Sequence, residues 1–436
     1  MIRTQLIEKL PAIAATALFS FFVLLHLIGA RDVADFAIGR WAVHPYPFRF
    51  LDTDTVLSAA RCFNKGIDAY VTNPCDDLGR VYTYSPLWMR LLTPFPVSEA
   101  WIAPAGLLID IVFLASLFLL PAMRDLKMAV GVTLGAVSSA AVFAVERGNN
   151  DLVLFALVAC TAALAARKPV LRYLGYGAAL LAGLLKYYPL AVMAIALREK
   201  TGRFLIVTLV SLSVTALFVA AVWPDLWKAF GNIPEGSWWY DMYGAEVFGG
   251  GIAELNSWPA WSAVTIRLVM TIIALTAGIF FALQAKTSAA IETLSTREWD
   301  FLLVGALITL GCFFTAQNIG YRSIHVLLTL PGLFIAARIG GFRFSSAPYL
   351  ALALMWAMAW RGYGVALAQA LSGGQAELVF FILWLLRELI WWWVIVLLLS
   401  LVIAYVLRAP IVADIVERIS PALPASASHR MKKGPA

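Results

Sequence analysis

Two aspartates, Asp52 and Asp54, open a hydrophilic stretch that follows the first apolar run of the chain. A carboxylate beside a binding site can act as a general base and take the proton of an attacking hydroxyl. Two simpler roles fit the same residues. Asp52 can cap a short helix that begins at Thr53, and an Asp-x-Asp pair can hold a divalent cation. The local sequence leaves these roles open, and two acids alone do not imply a metal.

A second group of candidate residues is cationic and lies within apolar segments. Lys186 interrupts an apolar run, and Arg322 and His325 lie one helical turn apart in a later run. Ionisable side chains inside a membrane usually face a cavity or a partner, and no obvious acid neutralises these three. Cations in such a place suit a phosphate-bearing ligand. The alternative is that each cation reaches lipid headgroups or pairs locally.

The elements that carry these residues are membrane-spanning helices. Of 436 residues, 61% are hydrophobic and 14% are charged, against about 45–50% and about 25% in a soluble domain. The apolar residues form continuous runs of about 18 to 25, long enough to cross a bilayer as helix. The runs lie near 11–30, 101–121, 127–145, 151–166, 173–197, 204–223, 259–284, 301–317, 322–338, 348–370 and 377–408. The sequence predicts an all-α polytopic membrane protein, with one membrane domain over 1–408 and a basic tail over 409–436.

The distribution of Lys and Arg predicts the orientation of the spans. Basic residues cluster on one side, which we assign to the cytoplasm; they are Arg124, Lys127, Arg167, Lys168, Arg172, Arg198, Lys200, Arg203, Arg338, Arg343, Arg418, Arg430, Lys432 and Lys433. Two long loops, about 31–100 and 224–258, then face outward, and both termini are cytoplasmic. The net charge of +7 is therefore positive-inside bias and does not indicate a nucleic-acid partner.

The run 173–197 conflicts with a simple count of spans, because both of its flanks are basic and cannot lie on opposite sides. Lys186-Tyr187-Tyr188-Pro189 occupies its middle, where proline ends helices and lysine is unfavourable in lipid. A hairpin of two short helices that meet at this break resolves the conflict. The predicted total is ten spans plus the hairpin, or twelve if its arms count separately. The first run follows Arg3 and Lys9 and is predicted to be an uncleaved span rather than a signal peptide.

Four cysteines occur in the chain. Cys62 and Cys75 share the first outer loop and can form a disulfide in an oxidising compartment, whereas Cys160 and Cys312 lie inside predicted spans and are expected to pack there. No Cys and His spacing typical of a metal site occurs. Three further sites of charge lie within predicted spans. Asp110 is alone in the second span. For Arg361 we expect contact with lipid headgroups, and for Arg387 we expect pairing with Glu388.

Several of these motifs resemble one family. The stretch from Asp52 through Ala59-Ala60-Arg61 to Gly66 and Tyr70 is similar to the first outer loop of GT-C type glycosyltransferases, and most of all to glycosyltransferase family 87, the polyprenol-phosphate-mannose-dependent mannosyltransferases. In that register Asp52 fits and Asp54 does not. Tyr82-Thr83-Tyr84-Ser85-Pro86 resembles the family's aromatic-x-Tyr-x-Pro before the second span.

Two later motifs resemble the same family. Gly175 through Lys186 to Pro189 is similar to its small-residue helix ending in Lys and Pro, and Tyr321-Arg322 to His325 is similar to its late outer-end motif. Gly148-Asn149-Asn150-Asp151 lies in a tight turn between spans three and four, where the family commonly has Gly-Gln-x-Asn. This departure leaves the roles of the turn residues open. The resemblance covers about residues 10 to 340.

The resemblance implies a GT-C-like helical bundle with a long first outer loop. It implies an enzyme that moves a sugar, mannose or another hexose or pentose, from a polyprenyl-phosphate donor to an acceptor hydroxyl on a lipid or glycan, with inversion. Asp52 would be the catalytic base, Lys186, Arg322 and His325 would bind the donor phosphate, and Tyr82, Tyr84, Arg147 and Asn149 are candidate substrate-binding residues. No cofactor follows from the resemblance, and a divalent cation is neither implied nor excluded.

A transporter or flippase of lipid-linked sugars is the main alternative, since it would also have many spans and intramembrane cations. It has less need of a long acidic outer loop that begins with a carboxylate. A carrier-lipid polymerase or ligase is a second alternative. The chain lacks an outward Asn-x-Ser/Thr site, which favours a bacterial inner membrane, with the active site facing outward.

Overall fold

The computed structural model describes residues 2–46, 48–233, 235–339, 341–372 and 376–419. The described chain is helical apart from loops and one antiparallel pair of two-residue strands, β1 (Met242–Tyr243) and β2 (Asn318–Ile319). The helices of the first half are α1 (Ile2–Leu27), α2 (Arg31–Gly39), α3 (Leu51–Asn64), α4 (Pro86–Leu92), α5 (Ile102–Leu117), α6 (Leu126–Ala136), α7 (Ser139–Glu146), α8 (Asn150–Ala165) and α9 (Pro169–Leu185). Those of the second half are α10 (Thr201–Gly231), α11 (Val247–Leu255), α12 (Ala260–Ala282), α13 (Ala285–Glu292), α14 (Thr296–Thr315), α15 (Leu330–Ala336), α16 (Gly341–Met355), α17 (Ala357–Ser372), α18 (Ala376–Leu407) and α19 (Pro410–Ile419). Three 3₁₀ helices cover Glu99–Trp101, Tyr188–Arg198 and Gly320–Leu328.

The helices confirm an all-α membrane protein with several spans. Among the described residues, seven helices are long and apolar enough to cross a bilayer, and α16 with α17, bent by 69°, can count as an eighth. The predicted total of ten to twelve is not reached by length alone, because three of the predicted runs form shorter helices. These are the runs at 151–166, 173–197 and 322–338, which correspond to α8, to α9 with its 3₁₀ partner, and to the 3₁₀ helix Gly320–Leu328 with α15.

The predicted hairpin at 173–197 is confirmed. The chain runs up α9, breaks at Lys186, where the backbone is extended, and returns through the 3₁₀ helix Tyr188–Arg198. Its two basic flanks meet: Arg172 forms an ion pair of 2.7 Å with Glu199, and Arg198 donates to the carbonyl of Ala165 at 3.1 Å. Because α8 also ends at Ala165, α8 and both hairpin arms extend between the same two levels of the bundle.

The bundle has two chemically different ends. At one end, which we call the basic end, arginines of the connecting loops pair with acids; the pairs are Arg124 with Glu298, Arg172 with Glu199, Arg198 with Asp300 and Arg338 with Asp125. The opposite end, which we call the Asp52 end, carries the loops 31–100 and 232–258. The predicted segregation of basic loops from the two long loops is therefore present in the fold.

The first long loop is a packed layer with its own small core. Buried residues of α3, α4 and the segment between them form this core, together with Ala229 of α10; those of the loop are Val56, Ala59, Ala60, Cys62, Ala69, Tyr70, Tyr82 and Met89. The predicted disulfide is present, with Cys62 bonded to Cys75 across a Cα–Cα distance of 5.7 Å. Cys312 is buried and Cys160 is half-buried, as expected of residues inside helices.

Part of the predicted C-terminal tail is helical. The last apolar run forms the single helix α18, and residues 410–419, predicted as the start of a basic tail, form α19 at the basic end, where Thr201 hydrogen-bonds Asp414. The rest of the predicted tail, with Arg430, Lys432 and Lys433, lies outside the described residues.

Candidate functional site

Asp52 is positioned by the residue before the helix that carries it. Phe50 precedes α3 with a left-handed backbone (φ 61°), and its ring lies between two glycines. A Cβ added at Gly106 would come within 2.2 Å of the Phe50 ring, and one at Gly148 would come within 2.8 Å of it and within 2.4 Å of Thr53 Oγ1. Side chains larger than hydrogen at 106 and 148 would therefore displace the start of α3.

Backbone hydrogen bonds hold the start of α3 on the turn that follows α7. The amides of Phe50 and Asp52 donate to the carbonyls of Glu146 and Arg147 at 3.2 and 3.1 Å. Thr53 Oγ1 donates to the carbonyl of Gly148 at 2.7 Å. The first loop and the tight turn, a hundred residues apart in sequence, are thereby fixed against each other.

The Asp52 carboxylate does not cap its helix. The helix begins at Leu51 with Phe50 at the cap position, and no side chain caps it. One Asp52 oxygen accepts a hydrogen bond from Nδ2 of Asn149, and the other lies 3.8 Å from Nη1 of Arg147. The capping interpretation of Asp52 is therefore wrong, and its carboxylate contacts the tight turn.

Asp54 has a different environment. It is fully buried within the loop layer and pairs with Arg61 at 3.3 Å, while burial, aided by Asp76, raises its pKa. Residues two apart on a helix do not face each other. Arg80 Nη2 lies 4.0 Å from Asp54, whereas the Asp52 carboxylate contacts Asn149 and Arg147. These different contacts do not support the joint cation site that was one interpretation of the sequence. The described residues contain no group of three or more His, Cys, Asp or Glu suited to a metal.

The cations predicted to hold phosphate meet at a shared carboxylate. Asp151 accepts from Lys186 Nζ at 2.7 Å and from Arg322 Nε at 3.3 Å. Arg322 also donates to Asn318 Oδ1 at 2.6 Å. The expectation that no acid neutralises these cations is wrong, because Asp151, at the start of α8, is brought to them by the fold. Two cations and one carboxylate leave a formal charge of +1.

The exposure of the three side chains shows which side of this cluster is accessible. The Asp151 side chain is fully buried, whereas 12% of the Lys186 and 19% of the Arg322 side chain are exposed. The two cations therefore cover the carboxylate and retain an accessible side. Unused donors remain on both, since the ammonium has three and the guanidinium five.

His325 lies behind this cluster. Its Nε2 is 2.9 Å from the hydroxyl of Tyr188, which donates to Asp151, and it is 4.0 Å from the carboxylate itself. The ring is buried and stacks on Phe155 at 6.4 Å. The structure thus places His325 where it acts on Asp151 and Tyr188, one layer from the exposed side of the cations.

A single side chain joins Asp52 to the cation cluster. Asn149 donates to Asp52 through Nδ2, and its Oδ1 accepts the backbone N–H of Asp151 at 2.8 Å, which also caps α8. Tyr84 lies between the same groups, with Lys186 Nζ 5.4 Å from its ring centre. Burial raises the pKa of Tyr84 well above its ordinary value, and the charges of Asp52 and Asp151 add to this shift.

Of the other predicted substrate-binding residues, some lie at the site and one does not. Arg147 lies against Asp52 and over the rings of Tyr46 and Phe143, at 4.5 and 4.8 Å. Tyr82, in contrast, is fully buried in the core of the loop layer, where it packs on Tyr70 and Tyr84. The structure brings Arg147, Asn149 and Tyr84 to the site and leaves Tyr82 beneath it.

Asp151 and Arg80 belong to the site but were not among the predicted site residues. Asp151 was noted only as a flank of the tight turn. Arg80 donates to the carbonyl of Leu51 at 3.1 Å. Its Nε and Nη2 each donate to one oxygen of the Asp76 carboxylate. Burial lowers the pKa of Arg80, but its hydrogen bonds to Asp76 and the charges of Asp76 and Asp52 outweigh this and raise it. No motif in the sequence indicated that Arg80 lies beside the start of α3.

Arg361 of α17 and Arg387 of α18 are buried in the bundle. Arg361 is buried and donates to the carbonyls of Trp239 and Tyr240, with Asp241 at 3.2 Å. Arg387 pairs with Glu388 at 2.7 Å, as expected, and donates to the carbonyl of Tyr240. The headgroup interpretation of Arg361 is wrong, since both arginines bind the backbone of the 232–246 segment and hold it on α17 and α18.

In comparisons with known proteins, no family model, no curated protein and no solved structure matches this chain.

Proposed function

We propose that the chain is an inverting membrane glycosyltransferase that moves a sugar from a polyprenyl-phosphate donor to an acceptor hydroxyl at the Asp52 end. The observation that carries the proposal is the link through Asn149, which joins a lone carboxylate to a partly exposed pair of cations. Transfer of this kind requires a base on one side of the anomeric carbon and stabilisation of a leaving phosphate on the other. By the sequence resemblance the sugar is a mannose-like hexose or a pentose.

The charge of the cation cluster suits the donor. A polyprenyl-phosphate sugar is a phosphodiester with one negative charge, and the Lys186–Asp151–Arg322 cluster has a formal charge of +1. When the bond from the anomeric carbon to the phosphate oxygen breaks, its electron pair stays on the phosphate and increases the negative charge there. Fixed cations that face this developing charge lower the barrier to the reaction rather than only tightening binding.

In this proposal Asp52 acts as the general base. It accepts the proton of the acceptor hydroxyl as the acceptor oxygen bonds to the anomeric carbon, opposite the departing phosphate. Arg147 and Asn149 orient its carboxylate. Tyr84 lies between the base and Lys186, a place suited to contact with the transferred sugar. The polyprenyl chain adds roughly 0.8 kcal/mol per CH₂ buried in the membrane, and a bacterial inner membrane with this end outward is the expected location.

The test is donor cleavage by the purified protein in lipid nanodiscs. A panel of polyprenyl-phosphate sugars is supplied with mixed glycolipid acceptors, and released polyprenyl phosphate is measured. Asp52→Asn keeps the size and most hydrogen bonding of the side chain but cannot accept the proton, so the rate should fall about 10²–10⁴-fold while donor binding persists.

Asp77→Asn is the matched control, because Asp77 is an exposed carboxylate of the same loop. It should turn over donor at the parent rate. Asp54→Asn is less suitable, since Asp54 is buried and paired. Parental transfer by Asp52→Asn would refute the catalytic role. No release from any donor, with exchange of lipid-linked sugar between the two leaflets of sealed proteoliposomes, would instead identify a transporter.

A further inference from the structure

A cavity of about 420 Å³ lies at the Asp52 end, outside the site described above. It opens between α11, the first turns of α12 and the 232–246 segment. Two indoles, Trp238 and Trp258, form part of its wall, and small residues of α11 and α12 form another part. The cavity is an open cleft, since Glu254 and Trp258 of its wall are exposed.

The cavity is built by close packing that only glycine allows. A Cβ added at Gly250 would lie 2.5 to 2.8 Å from three atoms of the Trp238 ring, and one at Gly249 would lie 2.5 Å from the carbonyl of Ala263. The Trp238 ring therefore lies directly on α11, and α11 lies directly on α12. This arrangement fixes the shape of the wall before any ligand is present.

The polar groups of the cavity carry a formal charge of −1. Glu246 and Glu254 contribute carboxylates and Arg267 a guanidinium, which pairs with Glu246 at 3.3 Å. Glu254 and Trp258 are exposed and Trp238 is half-buried, so their polar groups are open to a ligand that enters the cavity. The wall thus offers acceptors, donors and aromatic surfaces together, a combination that suits a ligand with hydroxyls along its edges and apolar C–H faces.

We infer that this cavity binds a neutral saccharide, the glycan part of the acceptor. The inference rests on the proposed function, for which it names the acceptor class. Tryptophan rings present flat apolar surfaces on which the C–H faces of sugars pack, while carboxylates and a guanidinium hydrogen-bond the hydroxyls. The net negative charge opposes a phosphate or an anionic lipid headgroup, so the cavity is distinct in chemistry from the donor cluster.

A short chain of contacts joins the cavity to the donor cluster. Glu246 accepts from the backbone N–H of Gln317 at 2.5 Å, and the next residue, Asn318, binds Arg322 at 2.6 Å. Asn318 is also paired in the two-stranded sheet with Tyr243. Glu246 of the cavity wall is therefore linked through Gln317 and Asn318 to Arg322 of the cation cluster. This link relates the cavity to the cluster that is proposed to hold the donor phosphate.

The test measures binding separately from turnover. Purified protein in nanodiscs is titrated with neutral mono- and disaccharides, with choline and with inorganic phosphate, and the change in heat and in tryptophan fluorescence is recorded. A neutral saccharide should bind, and Trp258→Ala should weaken this binding about tenfold, an amount typical of one lost aromatic contact.

Trp261→Ala is the matched control, because Trp261 is also exposed, lies three residues on and does not line the cavity. It should bind saccharide as the parent does. Binding of choline or phosphate in place of saccharide would overturn the inference, as would equal losses in the two tryptophan variants. Saccharide binding without donor cleavage would refute only the proposed function, and cleavage without saccharide binding would refute only this inference.

Discussion

At the scale of single residues, Asn149 has two tasks that place opposite demands on its side chain. Its amide nitrogen must donate to Asp52, and its amide oxygen must accept from the start of α8. Only an amide meets both. Aspartate would cap α8 equally well but would set a second carboxylate against Asp52, and serine would cap without adding charge.

Asn149→Asp is therefore expected to change the pH dependence of transfer. Two adjacent carboxylates cannot both ionise freely and come to share a proton, so a larger fraction of the base is protonated at any given pH. The acid limb of the rate profile should move upward by about one pH unit or more, with activity recovered as pH rises. Initial rates from pH 5 to 9 measure this, with Asn149→Ser as the uncharged comparison. Coincident profiles for Asp, Ser and parent would show that Asn149 does not act through Asp52.

At the scale of elements, Asp151 joins three segments that are distant in sequence. It begins α8, binds the hairpin tip through Lys186, and binds the 3₁₀ helix Gly320–Leu328 through Arg322. Removing one partner of a buried ion pair leaves an uncompensated charge and typically destabilises by about 3–5 kcal/mol. Which partner is removed therefore decides whether the fold or the chemistry is affected.

Lys186→Met and Asp151→Asn should separate these effects. Lys186→Met leaves Asp151 paired with Arg322, so the protein should fold, but the cluster loses its net positive charge. Donor turnover should fall tenfold or more, since a hydrogen bond to a charged group contributes roughly 1.5–3 kcal/mol. Asp151→Asn leaves two cations unpaired and should lower the thermal unfolding temperature.

Arg124→Met is the control for this pair of variants, because it removes a cation from an ion pair at the basic end. It should leave donor turnover near the parent value. Parental turnover by Lys186→Met, measured on protein with an unchanged unfolding temperature, would assign Lys186 to structure alone.

The sequence predicted the elements better than the contacts between them. The hairpin followed from two basic flanks and a central Lys-Tyr-Tyr-Pro, signals that are local and that the fold confirms. The pairing of Lys186 and Arg322 with Asp151 could not be predicted, since the three residues lie 35 and 171 positions apart and meet only when α8, the hairpin and the 3₁₀ helix pack. The same holds for Arg80 beside Leu51, whereas Cys62 and Cys75, thirteen residues apart in one loop, were paired correctly.

At the scale of the whole molecule, both ends of the bundle carry buried ion pairs. At the basic end, Asp300 is fully buried in its pair with Arg198. At the Asp52 end, one buried carboxylate, Asp151, is shared by two partly exposed cations, Lys186 and Arg322. Buried pairs of either sort contribute little net stability, so it is the accessible side of the shared pair of cations, rather than burial alone, that fits a functional role.

The orientation of the two ends follows from positive-inside bias and can be tested by labelling. Lys200 is exposed at the basic end and Asp77 is exposed in the first loop layer at the Asp52 end. A membrane-impermeant maleimide applied to intact cells should label Asp77→Cys at once and Lys200→Cys only after permeabilisation. Both substitutions are made in a Cys160→Ser chain, which is also the blank, because Cys160 is free and half-buried, whereas Cys62 and Cys75 are bonded to each other and Cys312 is buried. Labelling of Lys200→Cys alone would reverse the orientation and place the proposed transfer on the cytoplasmic side. Rapid labelling of both positions from outside would contradict the two-ended bundle, because no arrangement of the hairpin flanks puts residues 77 and 200 at one end.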